Sequence, residues 1–189
     1  MDIAVFCSSR PVDERYTRPA AELARLLGAA GHTLVWGGSR AGLMGVVADY
    51  VKAAGGRLIG INVEWLEQYA SEDADELVMT SNLADRKAQL LSRADAVVVL
   101  AGGVGTLDEV TEVVELKKHT LHNKPVVVLD SDGFYDGLRT QLERMESEGF
   151  LHRPLSELIT FTTTAQESLT HITRPPVQAP LQVLPPVVA

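Results

Sequence analysis

Three features of the sequence predict an α/β fold, a single parallel sheet with helices on both faces. Six short apolar runs of strand length recur along the chain, longer segments with helical spacing lie between them, and two of the runs end in glycine clusters that open helices. A repeated strand-helix order with short connections leads to parallel pairing, because each crossover returns the chain to the same edge of the sheet.

The runs are 2–7 (DIAVFC), 32–36 (HTLVW), 57–61 (RLIGI), 76–80 (ELVMT), 96–100 (AVVVL) and 125–129 (PVVVL). Their apolar character is continuous rather than alternating, as strands covered on both faces require. Residues 14–30 place Ala20, Leu23, Ala24 and Leu27 at helical spacing, with Gly28 or Gly31 to end the helix and Pro19 setting its regular start. Helices are also predicted over 42–55, 83–94, 105–121 and 134–148. From Arg174 the composition changes to RPPVQAPLQVLPPVVA, with five prolines, so residues 1–173 read as one domain and 174–189 as a Pro-rich tail.

At 189 residues the chain can bury a core without staples. The formal net charge of −8, with the acids scattered, gives no electrostatic footprint for nucleic acid. The single cysteine, Cys7, reads as a buried, inert thiol. No leader pattern and no membrane-length apolar run is present, so a cytoplasmic location is expected.

The two glycine clusters, WGGSRAGLMG (36–45) and AGGVGTLDE (101–109), each join a strand to a helix. Glycine there lets backbone amides approach a ligand, and the helix start favours an anion. Paired at matching strand ends, they point to a nucleotide-like ligand. Neither has the GxxxxGK[ST] spacing of a P-loop nor GxGxxG, which removes the main support for triphosphate hydrolysis and hydride transfer. With a helix starting near Gly105 or Thr106, Thr106 lies in the first turn and Glu109 on the same face, where the ribose of a nucleoside monophosphate would reach it. Asp108 reads as compensation of the helix dipole. In NLADRKAQLL (82–91), Asn82 is the expected N-cap and Asp85 a first-turn acid. Arg86 and Lys87 then bring two cations to a helix start, which suggests a nearby anion, with solvated surface charge as the competing account.

These residues carry a resemblance. DRKAQLLSRADAVVVLAGGVGTLDEVTEV is similar to the RK and PGGxGTxxE motifs of the LONELY GUY family, cytokinin riboside 5'-monophosphate phosphoribohydrolases formerly described as lysine decarboxylases. VFCSSR, WGGSRAGLMGVVAD and HNKPVVVLDSDGFYDGL resemble further family segments, so the likeness covers most of residues 1–160. It implies a Rossmann-like sheet, a homodimer, and hydrolysis of a nucleoside 5'-monophosphate to free base and ribose 5-phosphate. Carried over by position, Arg86 and Glu109 are the catalytic pair. Gly102, Gly103, Gly105 and Thr106 hold the phosphate with Lys87 beside it, and Glu72, fourteen residues before Arg86, contacts substrate. Gly37, Gly38, Gly42 and Met44 of the second glycine loop and Ser9 at the first strand's end complete the expected binding set. Nothing calls for a metal, pyridoxal phosphate or nicotinamide, and no lysine stands in a context that marks a Schiff base.

The sequence departs from the family at Ala101 for proline, Ser39 for glycine, Leu83 for methionine, Val63 for proline, and at Glu115 and Leu116 for threonine and tryptophan. The last two bear on which base is accepted. His119 and His122 lack a third metal ligand, and Trp36 and Trp65 read as core or rim packing. Val110, Val113, Val114 and Leu121 form an apolar stripe that suits either a dimer surface or the core. The reading from another class is a nucleotide- or cofactor-binding carrier of the same fold, such as the molybdenum-cofactor carrier proteins.

Overall fold

A computed structural model describes residues 1–174. Apart from Arg174, the predicted tail therefore lies outside the described residues. Seven strands, β1 (Asp2–Phe6), β2 (Thr33–Trp36), β3 (Arg57–Val63), β4 (Glu76–Thr80), β5 (Ala96–Val99), β6 (Val126–Leu129) and β7 (Thr160–Thr162), form one sheet in the order β4-β3-β2-β1-β5-β6-β7. Every pairing is parallel, with Ile3 opposite Ala96 and Asp2 opposite Thr33 on the two sides of β1.

The helices are α1 (Glu14–Ala29), α2 (Gly42–Ala53), α3 (Leu83–Arg93), α4 (Val104–Lys118), α5 (Asp136–Ser147), α6 (Leu155–Leu158) and α7 (Ala165–Ile172). Side chains alternate across the sheet. Ile3 and Val5 pack with α1, α2 and α7, whereas Ala4 and Phe6 pack with α3, α4 and α6. β5 is fully enclosed, and each of its valines contributes about 1.5–3 kcal/mol by leaving water. The predicted strand runs all form strands, their ends differing by a residue or two.

Three elements escaped the sequence reading. β7 is three residues long and reads Thr-Phe-Thr, and α6 is a single turn, both too short for a periodic signal. α7 carries a legible one, a capping box in which Thr164 and Glu167 satisfy each other's backbone amides. The start of α1 is also corrected. Asp13 caps it, its carboxylate accepting from the Arg15 amide, so Pro19 sits inside the helix rather than at its beginning. The cap lies six residues upstream, and burial of Ala20, Leu23, Ala24 and Leu27 in the core carries the helix through the hydrogen bond that proline forfeits.

The strand order reverses between β1 and β5. Parallel sheets open a crevice at such a point, above the carboxyl ends of the strands. The loops following β1, β2 and β5 line this crevice.

Candidate active site

α4 begins directly after β5, with Gly103 as its N-cap, and its first intrahelical bond runs from the Leu107 amide to the Gly103 carbonyl at 3.1 Å. The amides of Val104, Gly105 and Thr106 precede that bond and are the orphan donors of a helix start. At Gly103 and Gly105, a Cβ would meet nothing within 4 Å beyond the adjoining residues and the helix's own backbone, so the space beside this helix start is open. Gly102 differs: a Cβ there would lie 2.2 Å from Thr106 Oγ1, so its bareness seats the buried Thr106 side chain.

Arg86 and Glu109 meet. Arg86, from the first turn of α3, reaches Glu109 of α4 with Nη1 3.4 Å from Oε1, and its Nε donates to the Ile61 carbonyl on β3 at 2.9 Å. Their side chains are 14% and 13% exposed. Burial raises the Glu109 carboxyl to about 7; Arg86 pulls the other way, Asp108 adds to the rise, and Lys87 opposes it. Cys7, at the end of β1, shares this environment: burial pushes its thiol up, and the Glu109 charge adds to the effect.

The second glycine loop serves the pair in a way the sequence did not disclose. A Cβ on Gly37 would lie 2.1 Å from Arg86 Nη2 and 2.9 Å from Met44 Sδ, so Gly37 vacates the volume that the guanidinium fills. Gly38 and Gly42 instead adopt positive φ, +67° and +57°, and pack on Gly60 and on the Ser9–Arg10 backbone. Gly37→Ala is accordingly expected to push Arg86 off Glu109. The carboxylate then loses its favourable neighbour, and the Glu109 titration midpoint, followed by NMR of the labelled side chain, moves above about 7. An unmoved midpoint would show the pair to be independent of Gly37.

Lys87 turns away from the glycine loop. Its Nζ pairs with Asp108 at 2.9 Å and with Glu112, both on α4, and these partners raise its pKa, Glu112 foremost. The anion that two cations at the start of α3 called for is thus supplied by three carboxylates of α4. Ser9 is exposed on the loop after β1. Glu72 is exposed beyond Ser71, whose amide bonds the Gly38 carbonyl at 2.7 Å, and among the described residues no hydrogen bond or ion pair joins Glu72 to Arg86 or Glu109.

Val110 and Val113 are core residues, while Leu121 lies beyond the helix and is exposed. Trp36 is buried, its Nε1 donating to the Ser39 carbonyl at 3.2 Å, and Trp65 is exposed. His119 faces Glu115, and His122 Nε2 meets the Val113 carbonyl.

A buried acid-guanidinium pair beside a helix start with free amides is the arrangement the known relatives can be set against. A family described as "Possible lysine decarboxylase" matches residues 44–172. The cytokinin riboside 5'-monophosphate phosphoribohydrolase of Mycobacterium marinum is 36% identical over 169 residues, covering 88% of this chain and 90% of that protein. The chain belongs to this phosphoribohydrolase family. Another member, from Arabidopsis thaliana, is 34% identical over 168 residues and covers 87% of this chain and 78% of its own length. Among solved structures, the molybdenum cofactor binding protein of Rippkaea orientalis superimposes with a TM-score of 0.70 at 21% identity, covering 89% of this chain and 93% of that one, a likeness of fold alone.

A Schiff-base amine needs a lowered pKa, whereas that of Lys87 is raised. Lys117, lowered to about 8 by burial, stands eight residues beyond Glu109, at the far end of α4. No helix among the described residues is long and apolar enough to cross a membrane.

Proposed function

We propose that the protein hydrolyses the N-glycosidic bond of a nucleoside 5'-monophosphate, AMP or a cytokinin ribotide, to the free base and ribose 5-phosphate. The observation that carries this reading is the Arg86–Glu109 pair, largely shielded from water at the reversal in strand order one turn from the orphan amides of α4. The phosphate caps the amides of Val104, Gly105 and Thr106 in the room left by Gly103 and Gly105, and the ribose then extends along α4 toward Glu109.

As the C1'–N bond breaks, its electron pair leaves with the base, and positive charge builds on the ribose ring. The Glu109 carboxylate stabilises that charge and accepts a proton from the water that bonds to C1'; that proton then passes to the departing base nitrogen, so that the water's OH ends on C1' and its H on the base. A carboxyl poised near 7 is matched to such proton traffic at neutral pH. Arg86 keeps Glu109 ionised often enough to act, and fixes its direction through the bond to Ile61.

The substrate is a free nucleotide rather than nucleic acid, consistent with the net charge of −8. The protein works as a cytoplasmic homodimer; the exposed Leu83, Val104 and Leu107, at the first turns of α3 and α4, supply an apolar face beside the site. Incubation with AMP or its isopentenyl derivative, followed by chromatography, is expected to yield free base and ribose 5-phosphate in equal amounts. Failure to release base from either nucleotide would overturn the assignment and favour a carrier of the same fold.

A further inference from the structure

The loop between β5 and α4 is held from behind by a residue outside the expected binding set. Tyr135, in the turn before α5, is buried, and its hydroxyl donates to the Leu100 carbonyl at 2.8 Å. The hydroxyl therefore ties the Leu100 end of the Leu100–Ala101–Gly102 turn, which is also secured from β1 by the Leu100 amide on the Phe6 carbonyl and the Ser8 amide on the Ala101 carbonyl, at 2.9 and 3.1 Å.

Tyr135 is itself fixed on two further sides. Its backbone amide donates to the buried Asp130 carboxylate at 2.8 Å. Its ring meets Phe134 edge to face at 4.9 Å, and Phe134 meets Tyr16 of α1 in the same manner at 5.3 Å. The phenol is thus anchored to β6 and α1 before it reaches the glycine loop.

We infer that Tyr135 is a positioning residue for phosphate binding: by clamping the Leu100–Gly102 turn it aims the amides of Val104, Gly105 and Thr106, which begin two residues later, at the substrate's phosphate. The inference rests on the nucleotide-hydrolase reading and deepens it. A clamp of this kind acts where a helix start must be held rigid, because a misplacement of about 1 Å can cost about a hundredfold.

Tyr135→Phe deletes the hydroxyl and keeps the ring. Binding is best measured without turnover, by calorimetry of AMP and of adenosine with Glu109→Gln and with the double variant Glu109→Gln/Tyr135→Phe. The expected result is AMP binding about tenfold weaker in the double variant with adenosine binding unchanged. Ile172→Val in the Glu109→Gln background, a trim of the buried core beneath α7 on the other face, serves as control and should move neither. Equal AMP affinity with and without the hydroxyl overturns the inference, as does a parallel loss for AMP and adenosine, which marks a general structural effect. Hydrolysis of AMP by the unmodified protein is scored separately: a protein that binds AMP with the expected Tyr135 dependence but releases no base refutes the hydrolase reading and leaves the clamp standing.

Discussion

Glu109→Gln is expected to lower kcat/KM for AMP by about a thousandfold, roughly 4 kcal/mol of transition-state stabilisation. The amide fills the same volume but carries no charge to set against the ribose cation and cannot take a proton from water. The pH profile separates these losses from a folding defect. In the unmodified protein kcat/KM rises with pH through about 7 as Glu109 ionises, in addition to the substrate phosphate's own second ionisation near ~6. In Glu109→Gln only the substrate's limb remains. Stability moves oppositely. Between the ordinary carboxylate value of 4.5 and about 7, the folded protein keeps a proton that the unfolded chain has released, so the unmodified protein loses stability as pH rises across that window. Glu109→Gln has no such slope, and thermal melts at pH 4.5 and pH 7.5 should show its stability gaining on that of the unmodified protein. Identical slopes would mean that Glu109 titrates as an ordinary exposed acid.

Arg86→Ala carries the second large effect, a loss of about a hundredfold or more in kcat/KM, with an additional signature. Removing the guanidinium leaves a buried carboxylate without its favourable neighbour, so the acid limb shifts to higher pH and part of the lost activity returns in alkaline buffer. Guanidinium ion in solution should restore some of the rest, because Gly37 leaves a space shaped for it. Arg86→Lys is expected to recover less than the charge alone suggests, since a lysine cannot donate to the Ile61 carbonyl and face Glu109 in one planar group. An acid limb unchanged in Arg86→Ala would dissociate the two residues.

The sheet was legible because buried strands are written as unbroken apolar runs, and the helices between them because their apolar spacing is regular. β7 was not: with threonine at both ends it has no run to read, and it is placed by pairing with β6. The meeting of Arg86 and Glu109 was open in the sequence, where the arginine could equally have held phosphate. The partners of Lys87 were not legible, because Asp108 and Glu112 reach it only through the packing of α4 beside α3. Nor was the use of Gly37, whose motif suggests a backbone turned to a ligand while the structure fills the missing Cβ with Arg86. Local motifs announce that a site exists; which side chain occupies each vacated volume depends on contacts between residues far apart in the chain. Tyr135 illustrates the same limit, touching Leu100 across 35 positions.

The central claim is one of placement, and a crystal structure of Glu109→Gln with AMP tests it directly. The predicted complex has the phosphate on the amides of Val104, Gly105 and Thr106 and the C1' atom within contact distance of residue 109. A nucleotide bound with its phosphate elsewhere, or with its sugar turned away from residue 109, would contradict it.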